Sequence, residues 1–366
     1  MKIAVVGTRG FPNVQGGVEA HCEHLYPLLA EKGCEVTVFA RKPYLEEKEP
    51  FLYKGVKIVP LSCPKNKSLE ALLHTFYAVL QAKKIHPDLL HIHAVGPALC
   101  APLARILGLK VVMTHHGPDY RRKKWGRLAK QVLKLGEYAG SKCSTSVIAI
   151  SHNIASEIKA KYQRQAKVIP NGVGQAKLQA SEDMLNKFGL LKGKYILAVG
   201  RFVPEKGFLD LCAAFAQLEQ KDWKLVIVGR PDHANRYSAE LEKWASWNED
   251  IILTGFLSGS RLWEIFTHAG LFVLPSYYEG LPIALLEALG FGISCIASNI
   301  PANQEVGLGE ERYFPAGDIT MLKERIRRFI TLPMSETEKE KQIAEIKAKY
   351  NWEKIAQSTW EVYCDA

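Results

Sequence analysis

Short apolar runs alternate with longer amphipathic stretches along most of the chain. In the first half KIAVVG (2–7), EVTVFA (35–40), VKIVPL (56–61), LLHIHA (89–94), KVVMTHH (110–116) and SVIAIS (146–151) read as strands. They are short and rich in β-branched residues. Between them, residues 18–31, 68–84, 96–107, 122–139 and 152–162 read as helices. This alternation predicts a parallel, doubly wound sheet. The Pro-Asn-Gly turn in VIPNGVGQAKL (168–178) breaks the rhythm, and a second series starts. Its strands are YILAVG (195–200), KLVIVG (224–229), IILTG (251–255), LFVLP (271–275) and SCIAS (294–298), with helices near 206–220, 237–247, 259–268, 282–290 and 318–331. An α/β fold follows: two facing Rossmann-like domains, 1–180 and 181–349, with a hinge near 171–185 and an interdomain cleft. In the tail, 350–366, Trp352, Ile355, Thr359 and Val362 fall at helical spacing. That helix is expected to pack back on the first domain.

Composition narrows the class. At 366 residues, 47% apolar and 23% charged, the chain has the make-up of a globular protein of two domains. No apolar run is long enough to cross a bilayer, and MKIAVVG reads as a first strand, not a leader. Eight cysteines without a CxxC pair read as small buried hydrophobes of a reducing cytoplasm. Charge is uneven: residues 1–180 hold 27 Lys+Arg against 12 Asp+Glu, a balance of +15, and the remainder stands at −5. A basic first half suits an anionic partner such as phosphate or lipid headgroups.

Most of the candidate chemistry lies in the second half. In SYYEGLPIALLEALGFG (276–292) a loop with Glu279 and Gly280 leads to Pro282, placed where a first-turn helical proline belongs. The N–H groups opening that helix form an anion site. Glu287 sits among Leu285, Leu286 and Leu289, so it is expected to be largely buried. Two carboxylates around a helix N-terminus would bracket a ligand with hydroxyls on both sides of its phosphate, as in a nucleotide sugar. In GRFVPEKG (200–207), Arg201 and Lys206 follow a strand end and would neutralise a diphosphate, one as a fork and one as a point charge.

Together, GRFVPEKG and the E-x7-E spacing of Glu279 and Glu287 resemble the retaining glycosyltransferases of the GT-B fold, family 4, over nearly the whole chain. The resemblance implies that Glu287 binds the ribose hydroxyls and Glu279 the donor sugar. Backbone from Gly280 through Leu281 to Ile283 would hold phosphate or sugar oxygens, and Phe256 of TGF (254–256) lies where the base packs. It also implies that His116 in MTHHG (113–117) lies beside the donor sugar. Gly16 and Gly17 of GTRGFPNVQGGVEAH (7–21) would begin the first helix and face the donor diphosphate. Catalysis would fall to Glu279, Lys206, Arg201 and His116. No cofactor is expected: the chain contains no Asp-x-Asp, so Arg201, Lys206 and helix N-termini would replace a metal. The opening loop further resembles bacterial capsule, O-antigen and exopolysaccharide transferases, including rhamnosyltransferases, which implies a UDP-, GDP- or dTDP-linked donor and a lipid-linked or polysaccharide acceptor.

His115 reads as a satisfied buried histidine. His91 and His93 share a strand face at a spacing that suits metal, but with no third ligand apparent they read as structural. In PDYRRKKWGRLAKQVLKLGE (118–137), Arg121, Arg122, Lys123, Lys124, Trp125 and Arg127 are candidates for acceptor or membrane contact. The stripe of Trp125, Leu128, Val132 and Leu135 fits either a membrane surface or a core-facing helix. Nucleic acid is not expected as a partner, since no recognition motif accompanies the charge. A peripheral position on the inner face of the plasma membrane is one expectation. An NADP oxidoreductase using Arg41 would need G-x-G-x-x-G, which is absent. A GT-B sugar-nucleotide epimerase and a catalytically silent nucleotide-sugar-binding partner remain alternatives.

Overall fold

A computed structural model describes all residues except 65–69, 123–124, 175–176, 221 and 233. It divides into two compact units, Met1–Gly172 with Trp352–Ala366, and Val173–Asn351.

The first unit holds strands β1 (Lys2–Val6), β2 (Glu35–Arg41), β3 (Phe51–Tyr53), β4 (Val56–Leu61), β5 (Leu89–His93), β6 (Val111–His115), β7 (Ser146–Ala149) and β8 (Lys167–Val168). Their order is β3-β4-β2-β1-β5-β6-β7-β8, parallel except for the β3–β4 hairpin. Helices α1 (Gly17–Glu31), α2 (Glu70–Lys84), α3 (Ala101–Ile106), α4 (Arg127–Cys143) and α5 (His152–Tyr162) connect them. The second unit has β9 (Tyr195–Val199), β10 (Lys224–Val228), β11 (Ile251–Gly255), β12 (Leu271–Leu274), β13 (Cys295–Ser298) and β14 (Tyr313–Phe314). All are parallel, in the order β11-β10-β9-β12-β13-β14. Its helices are α6 (Asp183–Phe188), α7 (Phe208–Phe215), α8 (Arg236–Trp247), α9 (Gly259–Thr267), α10 (Ile283–Gly290), α11 (Pro301–Gln304), α12 (Ile319–Ile330) and α13 (Glu336–Lys349). The chain ends in α14 (Trp352–Cys364), which returns to the first unit.

Numbered from its own first strand, the second sheet runs 3-2-1-4-5-6, the doubly wound order, and reverses between β9 and β12. The first reverses between β1 and β5. Central strands are buried on both faces because helices cover both, and most of their residues are apolar. In the first unit α14 completes one face: Trp352, Ile355, Ala356, Val362 and Tyr363 join Leu25, Tyr26 and Leu29 of α1 in one buried cluster.

Several elements differ from the pattern-based expectation. The helix expected over 96–107 opens as a 3-10 turn at Pro97–Cys100, and that over 122–139 runs from Arg127 to Cys143. Pro282 is the cap residue in extended backbone, and α10 begins at Ile283, so the proline precedes the first turn instead of opening it. Strand β3 is three residues long, too short to show a period. Its turn, Lys54-Gly55, takes positive φ at both residues (46° and 80°), as a two-residue hairpin requires. Helix α13 was not foreseen: it is polar on most positions, but a Ser335–Glu338 capping box starts it.

Candidate active site

In an open parallel sheet the strand order reverses at a point where neighbouring loops diverge and leave room for a ligand at the carboxyl ends. In the second unit those loops follow β9 and β12, and they carry the paired motifs. After β9, Arg201 turns its Nη1 to Asp232 Oδ2, in the loop after β10, at 2.9 Å. Lys206 ends a 3-10 turn, Pro204–Lys206. From there its Nζ donates to Glu279 Oε1, after β12, at 2.6 Å.

Gly207 makes this approach feasible. Its φ is +67°, and a Cβ there would lie 2.1 Å from the Pro275 carbonyl oxygen. A backbone bond from Tyr277 N–H to Glu205 O (2.8 Å) ties the same two loops. Sequence reasoning missed Ser276, whose Oγ donates to Glu279 Oε1 at 2.6 Å and which is fully buried. Its place three residues before Glu279 in the same loop was the available signal. Asp232 was missed as well, for it lies in a different loop with no local pattern. Phe256 follows β11, and the Arg230 guanidinium lies over its ring at 5.3 Å. Gly280 and Leu281 lead from Glu279 into Pro282 and Ile283, where no side chain caps α10.

Glu287 faces the opposite chemistry. It is partly buried, and its carboxyl has no hydrogen-bond partner among the described residues. Desolvation, the only cause, raises its carboxyl from the usual 4.5 to about 7.

The first unit makes its own cluster. The loop after β1 ends at Gly16, with φ +153°, and Gly17 opens α1. Glu19 was read only as a charge near a helix start, yet it is buried and its Oε1 accepts the Arg9 N–H at 3.1 Å. It therefore staples the glycine loop. His116, after β6, is partly buried, with its Nε2 2.9 Å from His93 Nδ1. His115 is fully engaged: Nε2 meets Glu137 Oε1 at 2.9 Å and Nδ1 accepts the Gly117 N–H at 3.1 Å. Burial works to raise the Glu137 carboxyl, but bonds from His115 and Tyr162 prevail and hold it down at about 2. Arg41, the rival cofactor contact, is buried against Glu70 at 3.1 Å.

Two family models match the chain. "Glycosyl transferases group 1" matches residues 181–350 and "Glycosyltransferase Family 4" matches residues 15–176. The chain belongs to the GT-B glycosyltransferases. The UDP-Gal:alpha-D-GlcNAc-diphosphoundecaprenol alpha-1,3-galactosyltransferase of Escherichia coli is 29% identical over 80% of this chain and 74% of its own. A putative teichuronic acid biosynthesis glycosyltransferase, TuaC of Bacillus subtilis, is 27% identical over 65% of this chain, and the match spans 58% of that relative's length. In fold, the transferase resembles sucrose-phosphate synthase from Thermosynechococcus elongatus, with TM-score 0.85, 23% identity, and coverage of 100% and 98% of the two chains. It also resembles Anabaena HepE in complex with UDP-glucose, with TM-score 0.80, 17% identity and full coverage of both.

The transferase's basic stretch is only partly available for a partner. Arg121 makes two 2.8 Å bonds to Glu157, and Arg122 lies 3.0 Å from Asp119, so both brace the fold. Lys123 and Lys124 lie outside the described residues. Arg127 opens α4, just after Trp125. Leu128, Val132 and Leu135 point outward, 81%, 39% and 55% exposed, while Gly136, Ala139 and Gly140 take the buried face.

The Glu287 shift has a definite sign. Its folded-state value exceeds its unfolded one, so the folded transferase keeps a proton that the unfolded chain releases between about pH 4.5 and 7. Stability from this group is complete at low pH and falls as pH rises through that window. Glu287→Gln should therefore gain on the wild type across it, by about 2–3 kcal/mol, in denaturant titrations at several pH values. A difference that stays constant with pH would show that Glu287 ionises normally.

Proposed function

We propose that this glycosyltransferase moves a sugar, with retention and without a metal, from a nucleotide diphosphate to a lipid-linked or polysaccharide acceptor of bacterial-type surface glycans. The observation that carries this reading is the junction of Lys206, Glu279 and Ser276 at the reversal of strand order, with Arg201 beside it. Among donors, a UDP-linked sugar is the first to test, because the E. coli relative's name and the HepE complex both specify one.

Breaking the bond from the anomeric carbon to the diphosphate leaves negative charge on the departing oxygens. Arg201, Lys206 and the N-terminus of α10 supply fixed positive charge to receive it. That is the contribution a metal held by Asp-x-Asp would otherwise make. Both cations rest against single carboxylates in largely buried pairs, and a diphosphate, which carries more negative charge than either carboxylate, competes for them. Glu279 Oε1 already accepts two hydrogen bonds, which suits it to a sugar hydroxyl better than to attack on carbon. The acceptor hydroxyl gives its proton to the departing phosphate oxygen as the new glycosidic bond forms on the same face. Glu287 takes the ribose hydroxyls, Phe256 the base, and the backbone from Gly280 through Leu281 to Ile283 the phosphate or sugar oxygens. On the first unit, Gly16 and Gly17 offer backbone N–H groups and His116 serves the sugar.

Among the described residues no helix is long and apolar enough to cross a membrane. A peripheral contact is the fitting alternative. Exposed Leu128 and Leu135 share α4 with Arg127, Lys130 and Lys134, and α2 adds exposed Leu73, Phe76 and Tyr77. Apolar residues edged by cations suit an anionic bilayer surface, which would also present a lipid-linked acceptor.

Two experiments follow. With a panel of nucleotide sugars, transfer should survive EDTA, and Lys206→Ala should lower kcat/KM about 30- to 160-fold, or about 2–3 kcal/mol. A need for added Mg2+ or Mn2+, near-normal turnover in the variant, or epimerised donor without transfer would each oppose the reading. Separately, Leu128→Ser with Leu135→Ser should cut cosedimentation with phosphatidylglycerol vesicles several-fold. Undiminished sedimentation would remove α4 from the membrane surface.

A further inference from the structure

The sequence left His91 and His93 as a structural pair for want of a third ligand; the fold supplies it. His21 from α1 and His116 after β6 converge on His93. Ring centroids lie 5.0 Å apart for His21–His116, 5.2 Å for His93–His116 and 5.7 Å for His21–His93. One nitrogen from each ring falls within 4.8 Å of the other two. His91 does not join them and serves instead to orient His93 through Tyr26.

Hydrogen bonding assigns the His21 tautomer: Nδ1 lies 3.0 Å from Asn171 Oδ1, an oxygen that only accepts, so Nδ1 carries the hydrogen and Nε2 the lone pair. His91 lies within hydrogen-bond distance of Thr114 Oγ1 (2.7 Å) through Nε2 and of the Tyr26 and Tyr363 oxygens (2.9 and 2.6 Å) through Nδ1. The metal-ready tautomer of His93 has Nε2–H donating to the Tyr26 oxygen, 2.5 Å away, and a lone pair on Nδ1 facing His116 Nε2. Without an ion, His116 Nε2–H donates to it. Moving that proton to Nδ1 of His116, which has no hydrogen-bond partner among the described residues, frees the third lone pair.

We propose that His21, His93 and His116 form a binding site for one transition-metal ion of the Zn2+ class, with an open fourth position beside the partly exposed His116. Three imidazoles with one open position is a known zinc arrangement. Asn171 and Tyr26 hold the far nitrogens of two ligands, the orienting shell such sites carry. Tetrahedral ligands at about 2.0–2.1 Å from zinc stand about 3.3 Å apart, so the His93–His116 pair, at 2.9 Å, opens slightly and the wider separations, within 4.8 Å, close by at most about 1.5 Å. Acidic ligands are absent from this trio, which favours nitrogen-preferring ions over Mg2+ or Ca2+. The site shares His116 with the donor-sugar contact proposed above, but no step of that transfer runs through the ion.

The test uses the full chain, stripped of metal, and needs neither donor nor turnover, so its failure is separate from failure of the transferase reading. Titration with Co2+ should give one saturable equivalent, the visible absorption of a four-coordinate nitrogen site, and displacement by Zn2+. His116→Ala, chosen because the residue is partly exposed, should abolish saturation while circular dichroism stays native. Asn171→Ala should weaken binding about 10-fold or more. Absence of saturable binding in the wild type, or unchanged binding in His116→Ala, would overturn the proposal.

Discussion

The contact between Lys206 and Glu279 organises the second unit. It joins the loop after β9 to the loop after β12, the two strands at which the sheet reverses its order. Neither group would be well placed alone. A lysine on a loop is a mobile point charge, and a carboxylate before a helix is an ordinary surface group. Gly207 lets the loops touch, the Tyr277–Glu205 backbone bond fixes their spacing, and Ser276 sets the angle of the carboxylate. Preorganisation of this kind gives a fixed charge its value in a transition state, because nothing must reorient as the leaving group departs.

Around that contact the unit separates two kinds of carboxylate. Glu279 accepts hydrogen bonds from a cation and a hydroxyl, whereas Glu287, eight residues on, has no such partner and burial favours its neutral form. The separation comes from one helix: α10 buries Leu285, Leu286 and Leu289 and draws Glu287 toward the core, leaving Glu279 in the loop before it. The first unit uses buried polar groups differently. Its histidines and tyrosines satisfy one another in a network under β5 and β6, and Glu137 gathers His115, Tyr120 and Tyr162.

Much of this was legible in the chain. Strands with continuous apolar runs are those buried on both faces, so the central strands of both sheets were readable, and so was the helix built on Trp352 and Ile355. The motif residues were readable because each spans a single loop or helix. What escaped was set by distance along the chain. Asp232 reaches Arg201 from another loop, and the third histidine lies between β1 and β5, about seventy residues from His93. Helix α13 escaped because a polar surface helix carries little periodic signal beyond its cap. Whether the α4 stripe faced inward was open in the sequence, since periodicity tells which residues share a face but not what covers it.

The central claim is that Arg201 and Lys206 form a receptor for a nucleoside diphosphate. Thermal unfolding of the full chain with UDP, GDP, dTDP and ADP, in EDTA, tests it most directly, since a ligand that binds only the folded state raises the Tm. The account predicts that one of these nucleotides stabilises the wild type and that Arg201→Ala with Lys206→Ala loses most of that shift. No stabilisation by any of them, or an undiminished shift in the double variant, would contradict it.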